Sequence, residues 1–224
     1  MKSEFLISGI ETGKLNAMIK NIMTQTGASH PNEAVRMVNA GEVQISVVRP
    51  KWSEEDGVIR FSVTSDGTTG EEWIARLESK GFRVSNYAKS VLRSKDFKST
   101  SDTYEIAILK GEIFSDDDRI TKNIRKEAEN RKLFTPNAEV ACLIREKFSD
   151  KELEAMGLYW IVAMHEPIKD SDGDPSLLFA YRLRNSSWLS AHCGRPGSRW
   201  NRSIGFAFVV SQVSGSLSFN LMRF

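Results

Sequence analysis

The sequence predicts an α+β protein, on three observations. Apolar residues recur at helical spacing in segments that open at Ser, Thr or Pro and close at Gly. Elsewhere they alternate with a period of two, and the two kinds of segment interleave along 224 residues. A chain of this length buries a sizeable core. Charged residues make up 27% of it and the formal net charge is +2, as in ordinary globular domains. No run approaches membrane-spanning length, so no membrane insertion is expected. MKSEFLISGIETGK places an acid before a very short apolar run and has no cleavage pattern, which makes a poor secretory signal. Cys142 and Cys193 fall in different contexts and suggest no disulfide framework. The default expectation is a reducing, cytoplasmic location, with virion or surface association left open.

Residues 11–26 carry Leu15, Met18, Ile19, Ile22 and Met23 at helical spacing, and Gly27 stops that helix. Pro31 opens a second helix through Ala34, Val35 and Val38 that Gly41 ends, giving a short N-terminal helical pair in segment 1–42. A helix-turn-helix would need a basic footprint, and the second helix offers only Arg36, so packing or self-association into an oligomer is the expected role. From Val43 the period becomes two, and VQISVV and GVIRFSV read as strands flanking the loop RPKWSEEDG. Residues 68–80 place Trp73, Ile74 and Leu77 on one helical face before Gly81, and Ser85 caps a helix over 85–93. YEIAILKG at 104–111 is a strand with Ile106 and Ile108 on one side.

The acids of Ser115–Asp118 precede ITKNIRKEAENRK, where a helix N-terminus favours them, so capping is preferred to a metal site. Thr135-Pro136 opens a helix through NAEVACLIREKF, with Val140, Leu143 and Ile144 inward and Cys142 packing. LYWIVAMHEPI at 158–168 is too apolar for an edge strand and is expected at the centre of a sheet. Asp170, Asp172 and Asp174 have a calcium-like spacing, but Gly173 and Pro175 break the EF-hand order and no Glu closes the loop, so an acidic turn is preferred. In the tail 214–224, Leu217, Phe219 and Leu221 alternate, which suits an edge strand or a docking segment.

Against this background one stretch is unusual. Pro175 to Ser211 contains no Lys, Glu, Gln, Met, Asp or Thr, and holds Arg182, Arg184, Arg195, Arg199 and Arg202 among Asn, Ser, His, Cys and Gly around two Trp. Without those five arginines the rest of the chain carries a formal −3, so the basic character is local. Free replacement of the two adenines of AAC or AAT codons yields Asn, Ser, Arg, Gly, His, Cys, Tyr, Asp, Ala, Pro, Leu and Ile among others. It never yields Lys, Glu, Gln, Met or Trp. The window is written in the permitted alphabet, with Trp188 and Trp200 as fixed framework. Arg supplies a fork of donors, Asn and Ser adaptable hydrogen bonds, and Trp rigid contact area, the alphabet of antibody loops. The plain alternative is an exposed basic hairpin that lacks acids. Arg195-Pro196-Gly197-Ser198 suits a type II turn, which would join SSWLSAHC to RWNRSIGFAFVVS as that hairpin, with Phe206, Phe208 and Val210 facing the core. In strand geometry Ser186, Trp188, Ser190 and His192 share one face, and Ser187, Leu189, Ala191 and Cys193 the other.

TPNAEVA (135–141), MGLYW (156–160), RNSSW (184–188) and IGFAFVV (204–210), in that order, resemble the C-type-lectin fold of formylglycine-generating and sulfatase-modifying domains. With the adenine-type window, the chain is more similar to the variable proteins of diversity-generating retroelements, in which this fold displays a mutable C-terminal surface. The resemblance spans roughly 115–211 and implies a C-type-lectin-like domain over 43–213, with mixed and antiparallel sheets, flanking helices and a variable surface at 175–204. Trp188 and Gly205 match the family's motifs, whereas Ala207 stands where the family has Arg. Copper-dependent catalysis by that family uses paired thiols, and the window has Cys193 alone, so no such activity is expected.

Three functions compete. The first is a non-enzymatic, receptor-like binding protein, free of cofactor and metal, that contacts a protein or surface ligand. Its contact residues would be Arg182, Arg184, Asn185, Ser187, Ser190, His192, Arg195, Arg199, Asn201 and Arg202, framed by Trp188 and Trp200. The second is nucleic-acid or polyanion binding by the same arginines, although five Arg without a Lys is an odd way to track phosphates. The third is an enzyme, but His30, His165 and His192 are too scattered for a zinc or triad pattern, and no Gly-rich phosphate loop is present.

Overall fold

A computed structural model describes residues 12–43, 51–183 and 186–213. The chain divides into two compact units, 1–50 and 51–224. In the first, α1 (Thr12–Thr26) ends at Gly27 with φ +72°. α2 (Pro31–Asn39) has Pro at its start and is capped by His30, whose Nδ1 accepts the Asn32 N–H. Gly41, also at φ +72°, terminates it.

The second unit is α+β. The described residues of the chain hold seven α-helices and nine strands in one mixed sheet. The strands are β1 (Ser53–Glu55), β2 (Val58–Thr64), β3 (Arg83–Val84), β4 (Thr103–Lys110), β5 (Trp160–Ala163), β6 (Ile168–Lys169), β7 (Pro175–Leu183), β8 (Ser186–Cys193) and β9 (Ile204–Val213). Their order is β1-β2-β4-β9-β5-β7-β8-β3, with β6 paired to β7. Only β5/β9 and β3/β8 run parallel. β5 therefore sits at the centre of the sheet, as its apolar sequence requires.

Helices α3 (Gly70–Ser79), α4 (Asn86–Leu92) and α6 (Glu139–Lys147) pack on one face through Trp73, Leu77, Val91 and Ile144, over Ile106, Ile108, Ile161 and Leu189. The opposite face buries Ala107, Leu109, Val162 and Phe206 against α5 (Thr121–Asn130) and Trp200. A short helix, α7 (Asp150–Ala155), precedes β5. Thr69 and Glu72 form a reciprocal capping box on α3, and the Ser85 hydroxyl accepts the Ala88 N–H of α4.

α6 is buried around most of its circumference, and two charged groups go inside with it. The Glu139 carboxylate accepts from Trp73 Nε1 at 3.0 Å, Ser65 Oγ at 2.7 Å and the Thr100 N–H at 3.3 Å, while burial raises its pKa. Arg145, fully buried, donates to the carbonyls of Phe148 and Tyr181, lies over the Phe82 ring and pairs with Asp150. Cys142 packs in the core, where burial pushes its thiol pKa well up.

Several expectations are corrected. The strand partner of Val58–Thr64 on its outer side is Ser53–Glu55, inside the segment read as a loop. Asp56 (φ 49°) and Gly57 (φ 71°) form a two-residue hairpin turn, and Glu55 pairs with Val58. Most of VQISVV, residues 44–48, lies outside the described residues, as does the tail 214–224. The acids of Ser115–Asp118 do not cap α5. Its first free N–H groups, of Thr121 and Lys122, donate instead to the carbonyls of Ser198 (3.1 Å) and Pro196 (2.9 Å). Asp116 and Asp118 are engaged by Arg119 and Ser115. α6 begins at Glu139 rather than directly after Pro136. Arg195–Ser198 is a turn with the Ser198 N–H on the Arg195 carbonyl at 2.9 Å, but Gly197 does not have the positive φ of a type II turn.

Most consequential, β8 and β9 are not a hairpin. β8 pairs with β7 and β3, β9 pairs with β4 and β5, and residues 194–203 cross from one to the other. Of the three residues expected to face the core from this strand, Phe206 and Phe208 are buried and Val210 is half-buried. The 170–175 segment is a tight turn between β6 and β7. Asp170 Oδ1 accepts the N–H groups of Asp172 and Asp174, and its Oδ2 accepts the Ser176 hydroxyl.

Candidate functional site

The strand register lines up a row of side chains across four strands. Ile204 of β9 stands beside Trp160 of β5, Trp160 beside Tyr181 of β7, and Tyr181 beside Trp188 of β8. Directly opposed residues share a sheet face. Tyr181 and Trp188 stack at 6.0 Å with 19° between planes, and Trp160 meets Tyr181 at 5.9 Å and stacks on Phe179 at 4.5 Å. Arg83, next in the row, places its guanidinium 5.4 Å from the Trp188 ring. Burial among these rings pushes the Tyr181 phenol pKa up.

Trp200 reaches this face from the crossing segment. It is 6% exposed, its indole N–H donates to Thr121 Oγ1 at 2.9 Å, and its own N–H donates to the Arg119 carbonyl at 3.0 Å. His192 meets the rings of Trp200 (5.4 Å) and Trp160 (6.2 Å) edge to face. Together Tyr159, Trp160, His192 and Trp200 wall a slot of about 320 Å³ floored by Ile204, with Arg199, Asn201 and Ser203 at its rim.

Of the expected contact residues, His192, Arg199, Trp200 and Asn201 are therefore brought together at the slot. Arg202 is exposed beside Asn201. Arg182 flanks the slot, its guanidinium 5.5 Å from the Tyr159 ring and its Nε on the Leu158 carbonyl. Trp188 extends the aromatic row and is half-buried. Ser187 donates to Asp150 at 2.8 Å and Ser190 to Ser85 at 2.9 Å, and both are half-buried. Arg195 pairs with Asp174, next to the start of β7 and away from the slot. Arg184 and Asn185 lie outside the described residues.

Sequence reasoning missed Tyr159 and Trp160, which lie outside the window and were read only as part of a buried strand. The adjacent aromatic pair at the start of an otherwise aliphatic strand was the available signal. Compared with protein-family models, with curated proteins and with solved structures, the chain matches none.

Proposed function

We propose that this chain is a receptor-like binding protein rather than an enzyme, with a C-type-lectin-like domain that presents the Trp160–Trp200 slot and its arginine rim to a protein or surface ligand. We infer further that the window at 175–204 is the target of retroelement mutagenesis. One observation carries the reading. Within the window, the Trp residues that adenine replacement cannot create are packed, Trp200 at 6% exposed and Trp188 half-buried, whereas His192, Arg195, Arg199, Asn201 and Arg202 are exposed. Variation at such positions costs the core little.

The motif segments support the fold assignment. TPNAEVA enters α6, MGLYW enters β5, and IGFAFVV opens β9. Gly205 meets Leu158 of the second motif so closely that a Cβ would stand 2.8 Å from its Cδ1 and 2.5 Å from Ile108 Cγ2. Polyanion binding is less favoured, because acids oppose the arginines: Glu154 faces Arg182, Asp174 faces Arg195 and Asp117 faces Arg199.

The test is to sequence the DNA flanking this gene. The expected result is an imperfect second copy of the segment encoding residues 175–211, differing at adenine positions, beside a reverse-transcriptase gene. A complete flanking sequence with neither would overturn the retroelement reading. Heparin binding that weakens steeply with salt would then favour the polyanion alternative.

A further inference from the structure

A cleft of about 540 Å³ opens between one face of α5, the loop between β5 and β6, and the crossing segment at 194–196. Lys122, Arg125, Lys126 and Glu129 line it from the helix, at the three- and four-residue spacing that puts side chains on one face. Glu166 and Pro167 line it from the loop, and Gly194 and Pro196 from the crossing segment. We propose that this cleft binds a small organic monocarboxylate through Arg125. The inference does not depend on the proposed function.

Other arginines that pack into this unit are matched group by group. Arg119 donates to the carbonyls of Gly111 and Phe114 and to Asp116, and Arg145 donates to two carbonyls with Asp150 beside it. Arg76 holds the Glu146 carboxylate through two nitrogens. Arg125 lacks such matching. Its side chain is only 22% exposed, yet the one hydrogen bond it makes among the described residues runs from Nη2 to the His165 carbonyl at 2.6 Å. The closest carboxylate among them, Glu166, stands 3.9 Å from Nη1 and is itself 83% exposed, so water screens the pair. Burial lowers the Arg125 pKa, the direction expected of a cation short of compensating charge. Nε and Nη1 make no hydrogen bond among the described residues, and neither is an enclosed atom, so a ligand in the cleft can reach them.

The surroundings select the kind of anion. A guanidinium presents paired N–H donors in a plane, which match the two oxygens of a carboxylate. Lys122 and Lys126 are exposed and form no ion pair among the described residues, so both add their charge from the rim. Glu129 and Glu166 offset two of the three positive charges, and the remaining one suits a monoanion better than a phosphate dianion. The end of α5 does not hold the anion, because Thr121 and Lys122 give their N–H groups to the carbonyls of Ser198 and Pro196. Pro167 and Pro196 present rings without N–H groups, which suits an apolar body behind the carboxylate, and the volume falls within the range of small-molecule sites.

Benzoate carries a planar carboxylate on an apolar ring, and benzamide has nearly the same shape without the charge. Titration of the full chain with each at low salt, followed by ¹H–¹⁵N NMR, tests the proposal. Benzoate is expected to shift the Arg125 Nε–H signal and the backbone signals of Lys122, Glu166 and Gly194, but not those of Arg182 and Arg199. It should bind at least about tenfold more tightly than benzamide, within the range of one hydrogen bond to a charged group. Arg125→Gln should bring the two affinities together. Should that variant lose its fold with the His165 carbonyl contact, the exposed pair Lys122→Gln and Lys126→Gln should cut benzoate affinity by about threefold and leave benzamide unchanged. Equal affinities in the unsubstituted chain, a benzoate preference that survives Arg125→Gln, a benzoate affinity unmoved by the lysine pair, or shifts centred on Arg182 and Arg199 would overturn the proposal. So would inorganic phosphate shifting the same signals at lower concentration than benzoate, which would make this a phosphate site.

Discussion

If the window is a display surface on a fixed frame, its exposed arginines and its buried Trp should differ sharply in what they contribute to stability. Consider replacing Arg195, Arg199 and Arg202 together by Ser, and in a separate variant Trp200→Ser. The Arg195 and Arg199 side chains are 63% and 67% exposed, and their ion pairs with Asp174 and Asp117 are surface pairs. Pairs of this kind contribute about 0–1 kcal/mol each. Arg202 makes no hydrogen bond or ion pair among the described residues, so the triple change should cost about 1 kcal/mol in all.

Trp200 instead sits between His192 and Phe206, with ring centroids at 5.4 and 5.9 Å, and holds Thr121 at the start of α5. Truncating a buried Trp costs about 3–5 kcal/mol. In a domain of this size each kcal/mol moves the melting midpoint by about 2–4 °C. Scanning calorimetry should therefore place the triple variant about 2–4 °C below the unsubstituted protein and Trp200→Ser about 6–20 °C below it. The triple variant should also lose a ligand selected against the original surface by at least about tenfold in affinity. A triple variant that melts more than about 10 °C lower, or a Trp200→Ser protein that melts unchanged, would refute the division into frame and rim.

Other substitutions probe the frame and the loops. Gly205→Ala forces a methyl against Ile108 and Leu158, and the overpacking should cost about 1–3 kcal/mol, read as a lower urea midpoint. His165 is held neutral with its pKa at about 4, below its ordinary 6.5. Only the unfolded chain then takes up a proton as pH falls from 6.5 towards 4, so this group's contribution is full above 6.5 and declines by about 3 kcal/mol by pH 4. His165→Gln offers an acceptor and a donor without that proton. Its urea stability, subtracted from that of the unsubstituted chain, should vary with pH by this amount, and a flat difference would contradict the assignment. Asp170→Ala removes the acceptor of two backbone N–H groups and the Ser176 hydroxyl, and should cost about 1–2 kcal/mol. Adding calcium should leave the melting temperature unmoved, and a rise would restore the metal reading of this turn.

Local signals were legible in the sequence because they act over a few residues. Pro31, Gly27 and Gly41 bound the first two helices, Thr69, Glu72 and Ser85 start α3 and α4, and alternation marks β2 and β4. The apolar run at 158–168 also announced a central strand. Asp56-Gly57 is a hairpin signal, but residues 49–57 were read as one loop, and the three-residue strand before the turn went unseen.

What the sequence could not determine was which distant segments meet. Alternation predicts that residues 186–193 and 204–213 are strands and is silent on their partners. The partners are set by the burial summed over the whole sheet, which places β9 between β4 and β5 and leaves β8 beside β7. The path of 194–203 follows from that, since the segment must cross the sheet, bury Trp200 and offer carbonyls to α5. The same nonlocal pairing brought Ser187 to Asp150 and Ser190 to Ser85, and drew Trp160 into the slot. The residue alphabet of the window was a property of the sequence, whereas the identity of the side chains that surround it was decided by strands brought together in space.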